Sequence, residues 1–506
     1  MKVLLIAPYM DNPDDKRNDF LPSGALTCLA AVLREGGHTP ILLDLNNRVV
    51  HDQVDPQKYC IAKIINTLQT EQPGLVGISF LFSGFMRVAI KYAEAIKQES
   101  PEVKIITGGI HASTYPEEIL TNCPCFDYVA IGEGELQMVE LASRMEQGEL
   151  SDLSTIKSFA FRDGSGKVQI NRERQWIDYE QMPMQAWDLV NFSDFEMDLA
   201  DYSNFKGHNI KNVVPVISER GCPFRCNFCD MYIVQGRKLR RRNPQQFVDE
   251  LQYLVEHHDQ RFFTFMDDNL TIDNRHILNI CNEIIRRDLD IQFTTSGGLG
   301  MSSLRKEVID AMVAAGMTSA LLAPEHGSDY IRNEIIQKKL HRETIYEVVD
   351  NLREHRVSLA GNWIMGFPED TNSTLQETMD MIDELQLDRN WVGTVIPFPG
   401  TPLFDQCVRD DLFIEKLDLS QLWLQPVRAH QAGSVIKPYD MSLEELSDWR
   451  DRFINVRFKY LRNLNMDNSQ IGSYERTHKD HRKVSPLKTT GETSQLIPLR
   501  EASAKS

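Results

Sequence analysis

Long apolar runs and an excess of positive charge are both missing from this sequence. No run of about 18 apolar residues occurs, which argues against a membrane-spanning helix. The 73 Asp and Glu residues outnumber the 55 Lys and Arg residues, and the formal net charge is −18. Proteins that bind nucleic acid usually present a basic face, so this composition disfavours that class. The start, MKVLLIAPYMDNPDD, lacks the features of a signal peptide, and we expect a cytoplasmic protein.

Cysteine is scarce, with nine in 506 residues, and the odd number in a long chain disfavours a disulfide framework. Three of the nine nevertheless crowd into the stretch RGCPFRCNFCD as Cys222, Cys226 and Cys229, spaced C-x3-C-x2-C. A fourth cysteine is missing. Structural zinc normally takes four protein ligands, so the triplet fits structural zinc poorly.

A cubane cluster offers another reading of the triplet. It contains four irons, and three thiolates would hold three of them and leave one iron open to a small molecule. From the residues alone, zinc and a chance grouping of core thiols stay open as alternatives.

Residues 1–145 alternate apolar strand patterns with helical patterns. The strand patterns are KVLLIAPY, TPILLDLN, LVGISFLFS, VKIITGG and DYVAIGEGE. This βαβα rhythm predicts an α/β, doubly wound, Rossmann-like domain with a parallel sheet. Ligands of such domains bind outside the carboxyl ends of the strands, where small and flexible residues follow the strand patterns here.

The rest of the chain divides into four segments. Residues 146–205 read as a connector with a β-hairpin around Asp163-Gly164. Residues 206–410 repeat the strand–helix pattern six times, which indicates a second α/β domain, either a partial (β/α)6 barrel or an open sheet. Residues 411–466 look helical and acidic. Residues 467–506 are too polar to bury a core, and we expect a disordered tail.

The stretch VISERGCPFRCNFCDMY resembles the cluster loop of radical S-adenosylmethionine (SAM) enzymes. MDDNLTID, LLAPEHGSDYIRNEIIQKKL, IMGFPEDT and FPGTPLF resemble further segments of the same family. The resemblance implies that Cys222, Cys226 and Cys229 ligate a [4Fe-4S] cluster whose open iron is chelated by SAM. It also favours the partial barrel over the open sheet.

The same resemblance implies the residues that contact SAM. Phe228 would lie against the adenine, and Asp267 and Asp268 are candidates for the methionine ammonium, because a carboxylate pairs with a cation. Ser296 and Glu325 are candidates for the ribose hydroxyls. The open alternatives are that the aspartates cap the next helix and that Glu325 is a solvated loop acid.

Residues 1–145 resemble the cobalamin-binding domain that precedes many radical SAM domains. The resemblance is carried by an SxL motif, a GG motif and the segment AIGEGE. The implied cobalamin contacts are Ser79, Leu81, Gly108, Gly109, Gly132 and Glu133. Cobalamin's flat apolar tail needs a slot between strand and helix, and glycines at strand ends open such a slot.

The chain departs from the cobalamin-binding pattern at one point. The usual DxHxxG motif, whose His binds cobalt, is absent, and residues 7–24 contain no His. His38 and His111 stand elsewhere in the sequence. We therefore expect no protein imidazole below the cobalt.

The resemblance implies an enzyme. A cluster reduced by an external flavodoxin- or ferredoxin-type donor cleaves SAM to a 5′-deoxyadenosyl radical, and methylcobalamin then methylates an unactivated carbon of a small molecule of natural-product or cofactor type. One alternative is a cyclisation or oxidative rearrangement on the same scaffold. Another is a non-catalytic sensor of the cluster or of cobalamin. A methylthiotransferase is disfavoured, because the first domain has no second cysteine triplet.

Overall fold

Two large sheets organise the computed structural model of the chain. The structure describes residues 1–9, 20–80, 83–196, 211–424, 434–457 and 459–460. All of these residues belong to one unit, Met1–Leu464.

The first domain is built on a seven-stranded sheet in the order β2-β1-β3-β4-β5-β6-β7. Its strands are β1 (Lys2–Ala7), β2 (Thr39–Asp44), β3 (Leu75–Ser79), β4 (Lys104–Gly108), β5 (Tyr128–Ala130), β6 (Phe159–Arg162) and β7 (Val168–Asn171). The first five pair in parallel, as the sequence predicts. Alternate residues of β1 join different apolar clusters, Val3 with Leu5 and Leu4 with Ile6, because helices cover both faces of the sheet.

The hairpin predicted around Asp163-Gly164 is confirmed as β6 and β7, which pair antiparallel with each other. It extends the first sheet through β5 instead of standing apart in the connector. Further along the connector, Gln185 accepts a hydrogen bond from Thr27 and donates to Glu250. The connector therefore contacts both domains.

Seven helices accompany the first sheet in the described residues. They are α1 (Gly24–Glu35), α2 (Arg48–His51), α3 (Pro56–Glu71), α4 (Met86–Glu99), α5 (Ile110–Thr114), α6 (Pro116–Asn122) and α7 (Glu135–Gln147). The side chain of Ser23 caps α1 by accepting from the N–H of Leu26, and the helix ends at Glu35, directly before Gly36.

The second domain is built on a six-stranded parallel sheet in chain order, β15-β14-β13-β12-β11-β8. The strands are β8 (Val214–Val216), β11 (Phe262–Phe265), β12 (Gln292–Leu299), β13 (Met317–Glu325), β14 (Ser358–Met365) and β15 (Arg389–Thr394). Two short strands, β9 (Glu219–Arg220) and β10 (Arg240–Arg241), form a separate antiparallel pair. This is the strand order expected of a partial (β/α)6 barrel, with β8 and β15 at its two ends.

The helices of the second domain follow the strands. They are α8 (Tyr232–Gln235), α9 (Pro244–His258), α10 (Asn274–Arg286), α11 (Lys306–Ala314), α12 (Arg342–Arg353), α13 (Asn372–Leu385), α14 (Pro402–Arg409) and α15 (Leu443–Val456). The side chain of Asn243 caps α9 by accepting from two backbone N–H groups, and Pro244 is the first residue of the helix. No helix within the described ranges is long and apolar enough to cross a membrane.

The helical prediction for residues 411–466 is wrong over much of the described part. Only α15 is a long helix there, and Phe413 pairs with Ile436 in an antiparallel bridge. Leu412, Val435 and Ile436 pack in one apolar cluster with Leu403 and Cys407 of α14. Tertiary packing of these apolar residues thus replaces the local helical pattern. The predicted tail, residues 467–506, lies outside the described residues.

Candidate functional site

The cysteine loop, residues 221–229, leaves β9 through Gly221. Gly221 has φ +92°, and a Cβ there would lie 2.4 Å from the carbonyl oxygen of Lys238, so the position requires glycine. The N–H of Cys222 donates to the carbonyl of Gly236 at 3.3 Å, which ties the start of the loop to the residue after α8.

The three thiols of the cysteine loop are half-buried and near one another. Burial raises the pKa of Cys222, raises that of Cys226 to about 11 and raises that of Cys229 to about 12. Among the described residues, no three His, Cys, Asp or Glu side chains converge on one point as ligands of a single metal ion do. A cubane places each thiolate on a separate iron, so its ligands need not converge in that way.

Lys338 is a residue of this site that the sequence reading missed. Its Nζ lies 2.6 Å from Oε1 of Glu325, and its positive charge lowers the thiol pKa of Cys226 and Cys222 against the effect of burial. Glu325 ends β13 with φ +66°, an uncommon backbone conformation for a residue other than glycine. The predicted ribose ligand is therefore a buried acid paired with a lysine beside the thiols. No motif in the sequence marks Lys338 for this place.

Asp267 and Asp268 hold the chain that enters the cysteine loop. Oδ1 of Asp267 accepts from the N–H and the hydroxyl of Ser218 and from the N–H of Glu219, at 2.6–2.8 Å. Oδ2 of Asp268 accepts from the N–H of Gly221 at 2.9 Å. Burial raises the pKa of both carboxyls to about 6. Neither aspartate caps the next helix, and their binding of the methionine ammonium stays a prediction.

Phe228 and Ser296 occupy separate parts of the second domain. The ring of Phe228 packs against that of Phe367, with 6.1 Å between centroids. Ser296 lies on β12, and its hydroxyl accepts from the Thr264 hydroxyl at 2.6 Å. Ser296 is exposed, and its contact with the ribose of SAM stays a prediction.

The residues predicted to contact cobalamin line one cavity of about 330 Å³, called the slot below. Ser79, Gly108, Gly109, Gly132 and Glu133 all border it, whereas Leu81 lies outside the described residues. Its apolar walls are Leu5, Leu29, Ile78, Phe80, Ile106, Ala130 and Met138. Size and lining match the pockets that bind flat organic groups, which measure roughly 300–1,000 Å³.

The second domain supplies the remaining wall of the slot. Arg220 from β9 and Val234 and Gln235 from α8 border the cavity. Oε1 of Gln235 is buried and, among the described residues, has no hydrogen-bond partner. Such a group is available to a ligand in the slot.

Four charged side chains, called the interdomain ion-pair cluster, join the two domains beside the slot. Arg240 donates to both carboxylate oxygens of Glu133 at 2.7 Å. Arg220 pairs with Glu135 at 2.8 Å and with Glu133 at 3.2 Å. Each of the four side chains is at most 12% exposed. The acidic segment that the sequence reading assigned to cobalamin alone therefore also binds the strand that precedes the cysteine loop.

His111 and His38 are both engaged by protein groups. The Nε2–H of His111 donates to the carbonyl of Trp423 at 2.7 Å, and its Nδ1 bonds with the Ser83 hydroxyl at 2.8 Å. His38 bonds with Ser143 and with the N-terminal amine. The expectation that no protein imidazole lies below the cobalt stays a prediction.

Comparison with family models matches both domains. Residues 16–142 match the B12 binding domain, and residues 216–382 match the radical SAM superfamily. The chain therefore carries a B12-binding domain ahead of a radical SAM domain.

Several curated proteins are similar over most of the chain. A methyltransferase of Pyrococcus horikoshii, itself uncharacterized, is 26% identical over 82% of this chain and 84% of its own length. The anaerobic magnesium-protoporphyrin IX monomethyl ester cyclase of Rubrivivax gelatinosus is 24% identical over 80% and 70%. The cytidylyl-2-hydroxyethylphosphonate methyltransferase of Streptomyces wedmorensis is 26% identical over 75% and 77%.

Solved structures share the fold. The cobalamin-dependent SAM radical enzyme OxsB, with aqua-cobalamin and SAM bound, has a TM-score of 0.70 at 17% identity and covers 95% of this chain and 71% of its own. The radical SAM methyltransferase TsrM from Kitasatospora setae, with tryptophan and a SAM analogue bound, has a TM-score of 0.67 at 17% identity, over 90% and 89%. The predicted two-domain fold is confirmed.

Proposed function

We propose that this chain is a cobalamin-dependent radical SAM methyltransferase that methylates an unactivated carbon of a small molecule. The observation that carries the proposal is the direct contact between the slot and the segment that holds the cysteine loop. Arg220 borders the slot and stands two residues before Cys222. The slot and the chain that enters the cysteine loop therefore meet at Arg220.

The residues present fit both cofactors. Cys222, Cys226 and Cys229 supply three thiolates from one loop, the donor set of a cubane that keeps one iron open. The slot offers an apolar cavity with the unpartnered Oε1 of Gln235 and the Ser79 hydroxyl at its border. When bound, the cluster and SAM supply a carbon radical, and cobalamin supplies a methyl group.

The protein's own residues position these groups. Asp268 and Gly236 fix the two backbone N–H groups that begin the cysteine loop. The Lys338 ammonium stands near the thiols and gives local positive charge, which favours an anionic cluster and a carboxylate beside it. The ion pair with Glu325 at 2.6 Å orients this lysine.

Electrons come from an external flavodoxin- or ferredoxin-type donor in this proposal. All nine cysteines are free thiols. Free thiols and an iron–sulfur cluster both require a reducing compartment, and we propose the cytoplasm.

A product assay under anaerobic conditions tests the reaction type. Reconstituted protein with SAM, a reductant, cobalamin and trial substrates should form 5′-deoxyadenosine, S-adenosylhomocysteine and a methylated product. Omission of cobalamin should remove S-adenosylhomocysteine. The cyclase similarity motivates a second candidate, a cyclisation or oxidative rearrangement, which would give 5′-deoxyadenosine without S-adenosylhomocysteine. A sensor would form neither product above the level of a blank.

A further inference from the structure

The slot is not a site of the first domain alone. Gly132, at its edge, has φ +84°, and a Cβ there would lie 2.4 Å from Nη1 of Arg174 and 3.5 Å from the carbonyl oxygen of Val234. The backbone of α8 therefore approaches the first domain at this glycine. A group that fills the slot contacts both sides of this approach.

The same stretch of α8 reaches the cysteine loop. Gly236 follows α8 directly, and its carbonyl accepts from the N–H of Cys222. Gly236 has φ +74°, and a Cβ there would lie 2.9 Å from the Trp176 ring. The tryptophan thus leaves no room for a larger side chain at Gly236. A short segment, residues 234–236, connects the slot wall to the first cluster cysteine.

The interdomain ion-pair cluster makes a second connection. Glu133 borders the slot, and it pairs with Arg220 on β9, the strand that leads into Cys222. Glu133 also pairs with Arg240 on β10, the strand that is hydrogen-bonded to β9. The guanidinium of Arg240 also lies 4.7 Å above the Trp176 ring. Two positive and two negative side chains, each at most 12% exposed, balance here. Loss of one of the four side chains leaves a buried charge without a counter-charge, which is strongly unfavourable. The interdomain ion-pair cluster therefore favours a single arrangement of these side chains.

We propose that the interdomain ion-pair cluster couples cobalamin binding in the slot to the ordering of the cysteine loop. The coupling rests on the proposed function, because cobalamin is taken as the ligand of the slot. Coupling between two binding equilibria is reciprocal. Assembly of the iron–sulfur cluster on the cysteine loop tightens cobalamin binding, and bound cobalamin raises the affinity of the loop for the iron–sulfur cluster by the same factor.

Titration with hydroxocobalamin tests the coupling in the full-length protein. The dissociation constant is measured by absorbance with and without the reconstituted cluster. In the wild type we expect reconstitution to tighten binding by at least about fivefold, the lower end of typical allosteric factors. Arg240 does not itself line the slot, although it donates to the carbonyl of Gln235 at 2.9 Å. In Arg240→Gln we expect the factor to fall below about twofold. Arg240→Lys keeps the charge and should retain most of the coupling.

The neighbouring residue supplies the matched control. Arg241 lies on the same strand, but its partners Glu219 and Asp273 both belong to the second domain. Arg241→Gln should therefore keep the wild-type coupling factor. If Arg240→Gln does not fold, as judged by circular dichroism, Arg240→Met replaces it, because an unbranched apolar side chain can keep the packing over the Trp176 ring while the charge is removed.

The outcomes separate the coupling from the function. A wild-type factor near one overturns the proposal, and so does a factor that is unchanged in Arg240→Gln. Absence of hydroxocobalamin binding in every form overturns the proposed function and the coupling with it. Equal loss of coupling in Arg240→Gln and Arg241→Gln also overturns the assignment, because it shows a general effect of charge removal on β10.

Discussion

The cysteine thiols must lose their protons before they ligate iron. Burial holds the pKa of Cys226 at about 11 and that of Cys229 at about 12, so the cluster-free loop carries neutral thiols near neutral pH. Cluster assembly therefore releases protons. The Lys338 charge acts against burial and favours the thiolates of Cys226 and Cys222.

Replacement of one thiol tests the cluster assignment. Cys226→Ala should abolish the formation of 5′-deoxyadenosine and reduce bound iron, because an incompletely ligated cubane is not retained. Cys281→Ala is the control, since Cys281 is buried in α10 and packs in the apolar core. Iron analysis after anaerobic reconstitution checks both variants. Four irons bound per chain in Cys226→Ala would show that the ligand is another residue.

The raised pKa of Glu219 leads us to predict that the stability of the protein depends on pH. Burial and the nearby Asp267 raise its pKa to about 8, above the unfolded value. The folded state then keeps a proton that the unfolded chain releases, so the contribution of Glu219 to stability falls as pH rises from about 4.5 to about 8. Glu219→Gln removes this loss, worth a few kcal/mol at most at about 1.4 kcal/mol per pKa unit. The melting temperature of Glu219→Gln, relative to that of the wild type, should increase as pH rises from about 5 to about 9. A constant difference would contradict the prediction.

The environment of His111 leads to a prediction about the electron paramagnetic resonance spectrum of bound cobalt. Burial lowers its pKa to about 4, and both ring nitrogens have protein partners, so the ring is neutral and occupied. The Co(II) form of the loaded protein should show no three-line nitrogen splitting in electron paramagnetic resonance, and His111→Ala should leave the spectrum unchanged. Nitrogen splitting that disappears in His111→Ala would identify the histidine as a ligand.

At the scale of elements, the turn from β9 into the cysteine loop depends on a glycine that no other residue can replace. Gly221→Ala should lower both cluster content and melting temperature, because the new methyl would meet the Lys238 backbone at 2.4 Å. Gly148, at the end of α7, also has positive φ (+75°), but a Cβ there meets nothing within 4 Å. Gly148→Ala should cost about 1 kcal/mol and leave iron content unchanged. Equal iron loss in both variants would show that backbone strain, not the contact with Lys238, is the cause.

At the scale of the whole molecule, Glu250 joins the connector to the second domain. Its carboxylate is fully buried and binds Arg242 at 2.8 Å and the Trp187 indole at 2.9 Å. Glu250→Ala should lower the free energy of unfolding by about 3–5 kcal/mol, because Arg242 stays buried without its partner. Chemical denaturation measures the change. Glu256→Ala, on the exposed face of the same helix, should stay within about 0.5 kcal/mol of the wild type. A loss below about 1 kcal/mol for Glu250→Ala would contradict this role.

Local patterns in the sequence predicted most of the elements. Most of the eleven parallel strands stand out as short apolar runs because they are buried on both faces, whereas most residues of the edge strands β2 and β15 are partly exposed. Ser23 and Asn243 mark helix starts because their side chains bond locally. The stretch 411–424 was predicted poorly, since its apolar residues pair with a distant segment at Ile436.

The sequence by itself determined the cysteine loop, the order of the two domains and the glycines at the strand ends of the slot. These features depend on spacing along the chain, because adjacent thiols and strand-end turns need no distant partner. Only the tertiary structure placed Lys338 beside the cysteines, and only it joined Glu133 to Arg240. Those contacts link residues far apart in the sequence, and no local propensity encodes which buried charges will meet. The contacts that link the slot to the cysteine loop are therefore decided by the tertiary structure.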